Sequence, residues 1–224
     1  MNPDPTGGNG YVAIAIDGPA ASGKSTLARC LAERLGLIMV NSGLMYRAVT
    51  WKILRMGADP SDSTEVARLL QDMDLGCGLR DGMSVITVDG VDPGDALREP
   101  AVNASVSLVA AVPEVRERLV ALQREYLRLG HVVMEGRDIG TVVFPDTPYK
   151  IYVDADETVR AARRKDMGEI DSVAGRDKAD SARATAPLRV ADGAVVLDTS
   201  DHTIETGVKA AIEILQNQGL AWAR

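Results

Sequence analysis

Residues 11–27 read YVAIAIDGPAASGKSTL, an apolar run, a glycine-bounded turn, and a lysine and serine that open a helix-like spacing. Tyr11 to Ile16 has the length and continuity of a parallel strand buried on both faces. Lys24 to Leu35 places Leu27, Leu31 and Leu35 at i, i+4 and i+8 and stops at Gly36, which predicts a helix. Between them Gly18, Pro19, Ala20, Ala21, Ser22, Gly23, Lys24 and Ser25, followed by Thr26, fit G-x-x-x-x-G-K-[ST] in the strand-to-helix context that pattern needs. At the residue frequencies of this chain roughly 0.005 such matches arise by chance. The physics is direct. Glycines let backbone N–H groups converge on phosphate oxygens, and the helix N-terminus adds partial positive charge. Lys24 reaches the β and γ phosphates and the Ser25 hydroxyl can ligate Mg²⁺. A nucleoside triphosphate, ATP, is the expected ligand, with Mg²⁺ as its cofactor.

Outward from this stretch the pattern repeats. Leu37 to Val40 is a second apolar strand, and 44–56 has helical spacing before the Gly57 to Pro60 break. From Ser61 to about Val112 the text changes: STEVARLLQDM is helix-like, and LGCGL and SVITV are weak strands set off by Asp81-Gly82 and Asp89-Gly90. This predicts an insert with a small antiparallel sheet. Pro113 opens a helix that ends at Gly130, with Val115, Leu119, Leu122 and Tyr126 as its apolar positions. HVVME, YKIYV and AVVLDT follow as strands, with helical stretches at about 156–165, 173–182 and 203–217. Alternating strands and helices predict an α/β fold, a parallel sheet covered on both faces.

Composition narrows the function. The chain has 224 residues, 46% hydrophobic and 25% charged, and a net charge of -7, which argues against nucleic acid or an anionic membrane as partner. The longest apolar run is far below the 18 or so residues of a spanning helix. The first ten residues, MNPDPTGGNG, lack the basic and apolar parts of a secretory signal and read as a disordered tail over 1–10. Two cysteines, Cys30 and Cys77, fit neither a disulfide framework nor a Cys-rich metal site, and point to a reducing cytoplasm.

A phosphate loop alone does not name a reaction. The guanine-reading N-K-x-D is missing: the nearest string, Asp177 to Asp180, lacks the Asn and follows no strand. No strand ends in the Asp-Glu pair expected of an ATPase that activates water. Instead Arg47, Arg116, Arg137, Arg176 and Arg183 recur at element ends, where a second anion is held in a parallel-sheet protein. Each arginine taken singly reads equally as a solvated surface charge. Their shared placement favours a kinase.

The strings DGPAASGKST (17–26), NSGLMYR (41–47), SLVAAVPEVR (107–116), EGRDIGTVVFPD (135–146) and RDKADSARATAPL (176–188) resemble the bacterial cytidylate kinase family, in the family's order. The likeness spans about residues 11–220. It implies a P-loop fold with a five-stranded parallel core, an antiparallel insert at about 61–112 in the nucleoside monophosphate region, and a lid after the fourth strand, here short, at about 157–175. One kinase domain over 11–222 and a monomer are expected. The resemblance implies that Ser42, Arg47 and Arg137 bind the acceptor phosphate and that Tyr46 lines the pocket of CMP or dCMP. Cytosine would be read by Ser107, Arg116 and Asp138, which pair hydroxyl, guanidinium and carboxylate with the ring's acceptors and amine. Uracil would set a carbonyl against that carboxylate and be rejected. Arg176 and Asp180 would hold the sugar, with Arg183 near the transferring phosphate. The catalytic set is then Lys24, Arg137 and Arg183.

A phosphate monoester with a second pKa of about 6 needs no general base, so His131 and His202 read as structural or surface residues. Catalysis rests on positioning and charge neutralisation. Water must be excluded, and Arg160, Arg163 and Arg164 are the lid candidates, with a solvated helix face as their alternative. Asn41 stands where the family often has Asp. Two rival readings share Gly18 to Ser25. One is another small-molecule kinase, for UMP, AMP or a shikimate-like acceptor; the other is a non-catalytic ATP-binding regulator.

Overall fold

The strand β1 (Ala13–Asp17) is buried at every position, as its unbroken apolar run predicts. The structure, a computed structural model, describes residues 10–166 and 185–221. The expected helix at 173–182 lies outside the described residues. After β1 come α1 (Lys24–Leu35), closed by Gly36 at a left-handed φ of 64°, and β2 (Ile38–Asn41). The chain then runs through α2 (Ser42–Arg55), α3 (Ser63–Gln71), β3 (Leu75–Arg80), β4 (Met83–Val88), α4 (Pro100–Val109) and α5 (Pro113–Glu125). It continues as β5 (Val132–Gly136), a π turn (Ile139–Val143), β6 (Lys150–Asp154), α6 (Glu157–Asp166), β7 (Val195–Asp198) and α7 (Ile204–Asn217).

These elements form two compact units, one of residues 1–40 and 124–224 and one of residues 41–123. The first carries five strands in the order β2-β5-β1-β6-β7. Strands β5 and β6 pair with β1 in parallel, and β7 pairs with β6 in parallel. That order puts the ends of β1 and β5, where the phosphate loop and the Arg137 segment begin, side by side: Asp17 is in register with Gly136. The core joins Ile14, Ile16, Val133, Ile151 and Val153 of the sheet to Leu27 and Leu31 of α1 and Val208 and Leu215 of α7.

In the second unit β3 and β4 pair antiparallel from Leu75↔Val88 to Arg80↔Met83, around the Asp81-Gly82 turn that the sequence predicts. Helix α2 starts at Ser42, two residues before the predicted 44, because the Asn41 side chain accepts from the Leu44 N–H and caps it. Helix α5 is α-helical only to Glu125 and tightens to a 3₁₀ turn over Tyr126–Arg128, short of the expected Gly130. Helix α4 was not legible. Its sequence PAVNASVSLV is apolar nearly all round and buries only Val102 and Val109, so no 3.6-residue stripe marks it.

Candidate active site

The phosphate loop, 18–23, leaves β1 on a glycine that cannot be replaced cheaply. A Cβ on Gly18 would run into the Val153 carbonyl oxygen of β6. Ala21 and Gly23 both take positive φ, 58° and 91°, the strained curl that turns backbone N–H groups inward. Lys24 is only 6% exposed, and its Nζ donates to the Pro19 carbonyl at 2.9 Å, across the loop it serves. The Ser25 hydroxyl donates to Glu135 Oε1 at 2.8 Å, at the end of β5. A hydroxyl beside a carboxylate is a hard-oxygen donor set that fits Mg²⁺, which takes few protein ligands and completes its shell with phosphate and water. Among the described residues no group of three His, Cys, Asp or Glu could hold a metal without such help.

Helix α6 docks its arginines on the same loop. Arg160 donates through Nη1 to the Ala20 carbonyl at 3.4 Å and through Nε to Ala155 at 2.9 Å. Arg163 donates to the Ala21 carbonyl and, through both terminal nitrogens, to Thr199 Oγ1 at 3.1 Å and Thr199 O at 2.9 Å. The Thr199 hydroxyl donates in turn to the Ser22 carbonyl at 2.8 Å. Arg160 and Arg164 are buried, at 8% and 3% exposure, so they are not a solvated helix face. Arg160 and Arg163 bring guanidinium charge to the carbonyls of the phosphate loop.

Arg137 and Asp138 follow β5 directly, with Asp138 buried and Arg137 half-buried. They enter the π turn, which Val143 N–H and Phe144 N–H close onto the carbonyls of Asp138 and Ile139. Asp17, 3% exposed, accepts the Ile139 and Gly140 N–H groups at 2.7 Å, one on each oxygen. Burial pushes its carboxyl up to about 6 from 3.8, a rise that those two hydrogen bonds and Arg137 oppose and Asp138 adds to.

The second unit holds five of the predicted acceptor residues: Ser42, Tyr46, Arg47, Ser107 and Arg116. Tyr46 is buried on α2, one turn beyond Ser42, and Arg116 of α5 lies over its ring at 5.5 Å to the centroid. Arg116 is 5% exposed and donates to the Ala110 carbonyl at 3.1 Å, which draws it to the end of α4, the helix of Ser107. Arg47 donates to the Leu97 carbonyl at 3.0 Å and to Asn103 Oδ1 of α4. Arg176, Asp180 and Arg183 lie outside the described residues. His131 Nδ1 accepts the Val12 N–H at 3.0 Å, a structural role, and His202 pairs with the Thr206 hydroxyl on the surface. Sequence reasoning missed Asp17, Glu135, Asn103 and Thr199. The signal for the first two was available: acidic residues closing otherwise apolar parallel strands sit where α/β proteins bind ligands.

Comparison with known proteins gives a consistent picture. The family model described as cytidylate kinase matches residues 14–217. The chain is 42% identical over 217 residues to a cytidylate kinase of Pelotomaculum thermopropionicum, covering 91% of this chain and 96% of that one. It is 41% identical over 218 residues to a cytidylate kinase of Geobacillus kaustophilus, covering 92% and 97%. It is also 42% identical over 216 residues to a bifunctional pantoate ligase/cytidylate kinase of Synechococcus, covering 91% of this chain. The chain spans 44% of the length of that bifunctional relative.

Proposed function

The chain belongs to the cytidylate kinase family, and from that premise we propose that it transfers the γ-phosphoryl group of ATP to CMP or dCMP, giving CDP or dCDP and ADP. The observation that carries this reading is Arg116, buried and laid over Tyr46, which offers a planar, cationic and hydrogen-bonding seat for a pyrimidine nucleotide. A shikimate-like acceptor has no use for that stack. Ser107, Arg116 and Asp138 read the base, Ser42, Tyr46, Arg47 and Arg137 take the acceptor, and Arg176 and Asp180 hold the sugar.

The acceptor phosphate is largely ionised at neutral pH, so the chain needs to place it and offset its charge, not deprotonate it. Lys24, Arg137 and Arg183 do so around the transferring group, and Arg160, Arg163 and Arg164 close over the loop against water. Ser25 with Glu135 would hold Mg²⁺, which when bound offsets polyphosphate charge. On this reading the enzyme works as a monomer in a reducing cytoplasm, the compartment that a chain with two cysteines, Cys30 and Cys77, suits.

The test follows ADP release from Mg·ATP with CMP, dCMP, UMP, AMP and shikimate in parallel, with Lys24→Ala as the blank. Release with CMP or dCMP far above the rest, and lost in the blank, is expected. Preference for another acceptor would overturn the base-reading roles of Ser107, Arg116 and Asp138, and ATP binding without transfer would leave only a nucleotide-binding regulator.

A further inference from the structure

The π turn after Arg137-Asp138 is gripped at both ends. At its start the Ile139 and Gly140 N–H groups have no carbonyl partner within so short a helix, and Asp17 accepts both, one per oxygen, at 2.7 Å. At its end the Val142 and Val143 carbonyls receive Arg124, whose Nη2 and Nε donate to them at 2.8 and 2.9 Å. A carboxylate on the N-terminal amides and a guanidinium on the C-terminal carbonyls is the arrangement that the helix dipole favours at each end. Gly140 makes room for it. A Cβ there would sit 3.3 Å from Asp17 Oδ2 and 3.2 Å from both Ala191 Cβ and Lys150 Cδ, tighter than ordinary contact. The ring of partners is also long-range, because Asp17 reaches the turn across more than 120 residues of chain.

A short π turn does not persist by propensity; such turns are rare and recur at functional positions. This one is entered by Arg137 and Asp138 themselves, and its first closing bonds run from the Val142 and Val143 N–H groups to the Asp138 carbonyl at 2.8 and 3.3 Å. Whatever fixes the turn therefore fixes the backbone of Asp138.

We propose that Asp17 and Arg124 are positioning residues for the acceptor: together they clamp the π turn and so set the pose of Arg137 and Asp138. This rests on the reading of Arg137 and Asp138 as acceptor-binding groups. Asp17 also ends the strand that feeds the phosphate loop, so one carboxylate ties the acceptor turn to the root of the donor loop. A mere support of the loop and a clamp of the turn differ in which substrate they serve.

The experiment compares the full chain with Asp17→Asn and Arg124→Gln. In the first variant the carboxamide can accept one N–H but turns its own NH₂ against the other. The second, on an exposed side chain, replaces a charged two-point donor by a neutral carboxamide whose NH₂ can reach at most the Val143 carbonyl, and leaves folding intact. With the clamp in force, the KM for CMP rises roughly tenfold in Asp17→Asn and roughly threefold in Arg124→Gln, while the KM for Mg·ATP moves less than about twofold. Amide hydrogen exchange across residues 137–144 should quicken in both variants. An ATP KM that rises in step with that of CMP would make Asp17 a loop support and overturn the clamp. Unchanged CMP KM and unchanged exchange would do the same. If Asp17→Asn does not fold, Arg124→Gln decides alone, since its turn must loosen. Should the wild type show no CMP-dependent release, the kinase reading fails and the exchange data still decide whether the clamp exists.

Discussion

At the scale of single residues, the carboxylate that accepts the N–H groups of the π turn is also one that folding resists. Asp17 titrates near 6 in the native state against 3.8 unfolded, chiefly because burial disfavours its charge. The native state then holds a proton that the unfolded chain releases between those two values, so this group's contribution is present below pH 4 and is lost as pH rises through 6. The difference between the two pKa values amounts to about 3 kcal/mol. The stability of the wild type relative to Asp17→Asn should thus fall by about that much from pH 4 to pH 7, as denaturant melts at several pH values would read. A difference independent of pH would place the carboxyl in water. Gly18 makes a second residue-scale case. With Val153 O in the path of any Cβ, Gly18→Ala must move the loop or β6. A drop of at least about tenfold in kcat/KM for ATP is expected, against little effect on kcat/KM from alanine at Gly36, whose left-handed φ of 64° would be strained and cost stability but which closes the other end of α1.

Elements divide by how locally they are determined. Strands β1, β5 and β6 were legible because parallel strands buried on both faces are continuous apolar runs, and α1 and α7 because their stripes and stops are local. The phosphate loop was legible for the same reason, with spacing and context lying in one short stretch. Helix α4 has no stripe to read, and the π turn depends on Asp17 and Arg124, each far from it in sequence. The proposed base-reading positions rest on family likeness, because no spacing announces that Arg116 will lie over Tyr46. Asn41 shows how a local rule answers a question that likeness raised. Its side chain caps α2 by accepting the Leu44 N–H at 3.2 Å, a task Asp performs equally well. Asn41→Ala should therefore cost about 1 kcal/mol and lower Tm by roughly 2–4 °C, while Asn41→Asp should leave both nearly unchanged. A large rise in acceptor affinity in Asn41→Asp would instead assign the position to the ligand.

The whole molecule carries a net charge of -7, while the reaction proposed for it requires it to receive polyphosphate. Its general field repels the ligand, so affinity must come from a few cations at short range: Lys24, Arg160, Arg163 and Arg164, three of them drawn onto the loop's own carbonyls. Those carbonyl contacts are weak substitutes for phosphate, and a ligand that binds only the folded state adds its binding free energy to stability. At a hundred times its Kd a non-hydrolysable ATP analogue with Mg²⁺ contributes about 2.7 kcal/mol, or roughly 5–10 °C in Tm for a chain of this size. With the Tm of each unliganded protein as its own reference, Lys24→Ala should abolish most of that shift. EDTA should reduce it too, because Ser25 and Glu135 bring a hydroxyl and a carboxylate to one point that only a cation reconciles with triphosphate. Thermal melts of both proteins with analogue, with analogue and EDTA, and with neither would separate these contributions. An undiminished shift in Lys24→Ala would move the nucleotide away from this loop, and an undiminished shift in EDTA would leave Glu135 as an anion facing an anion.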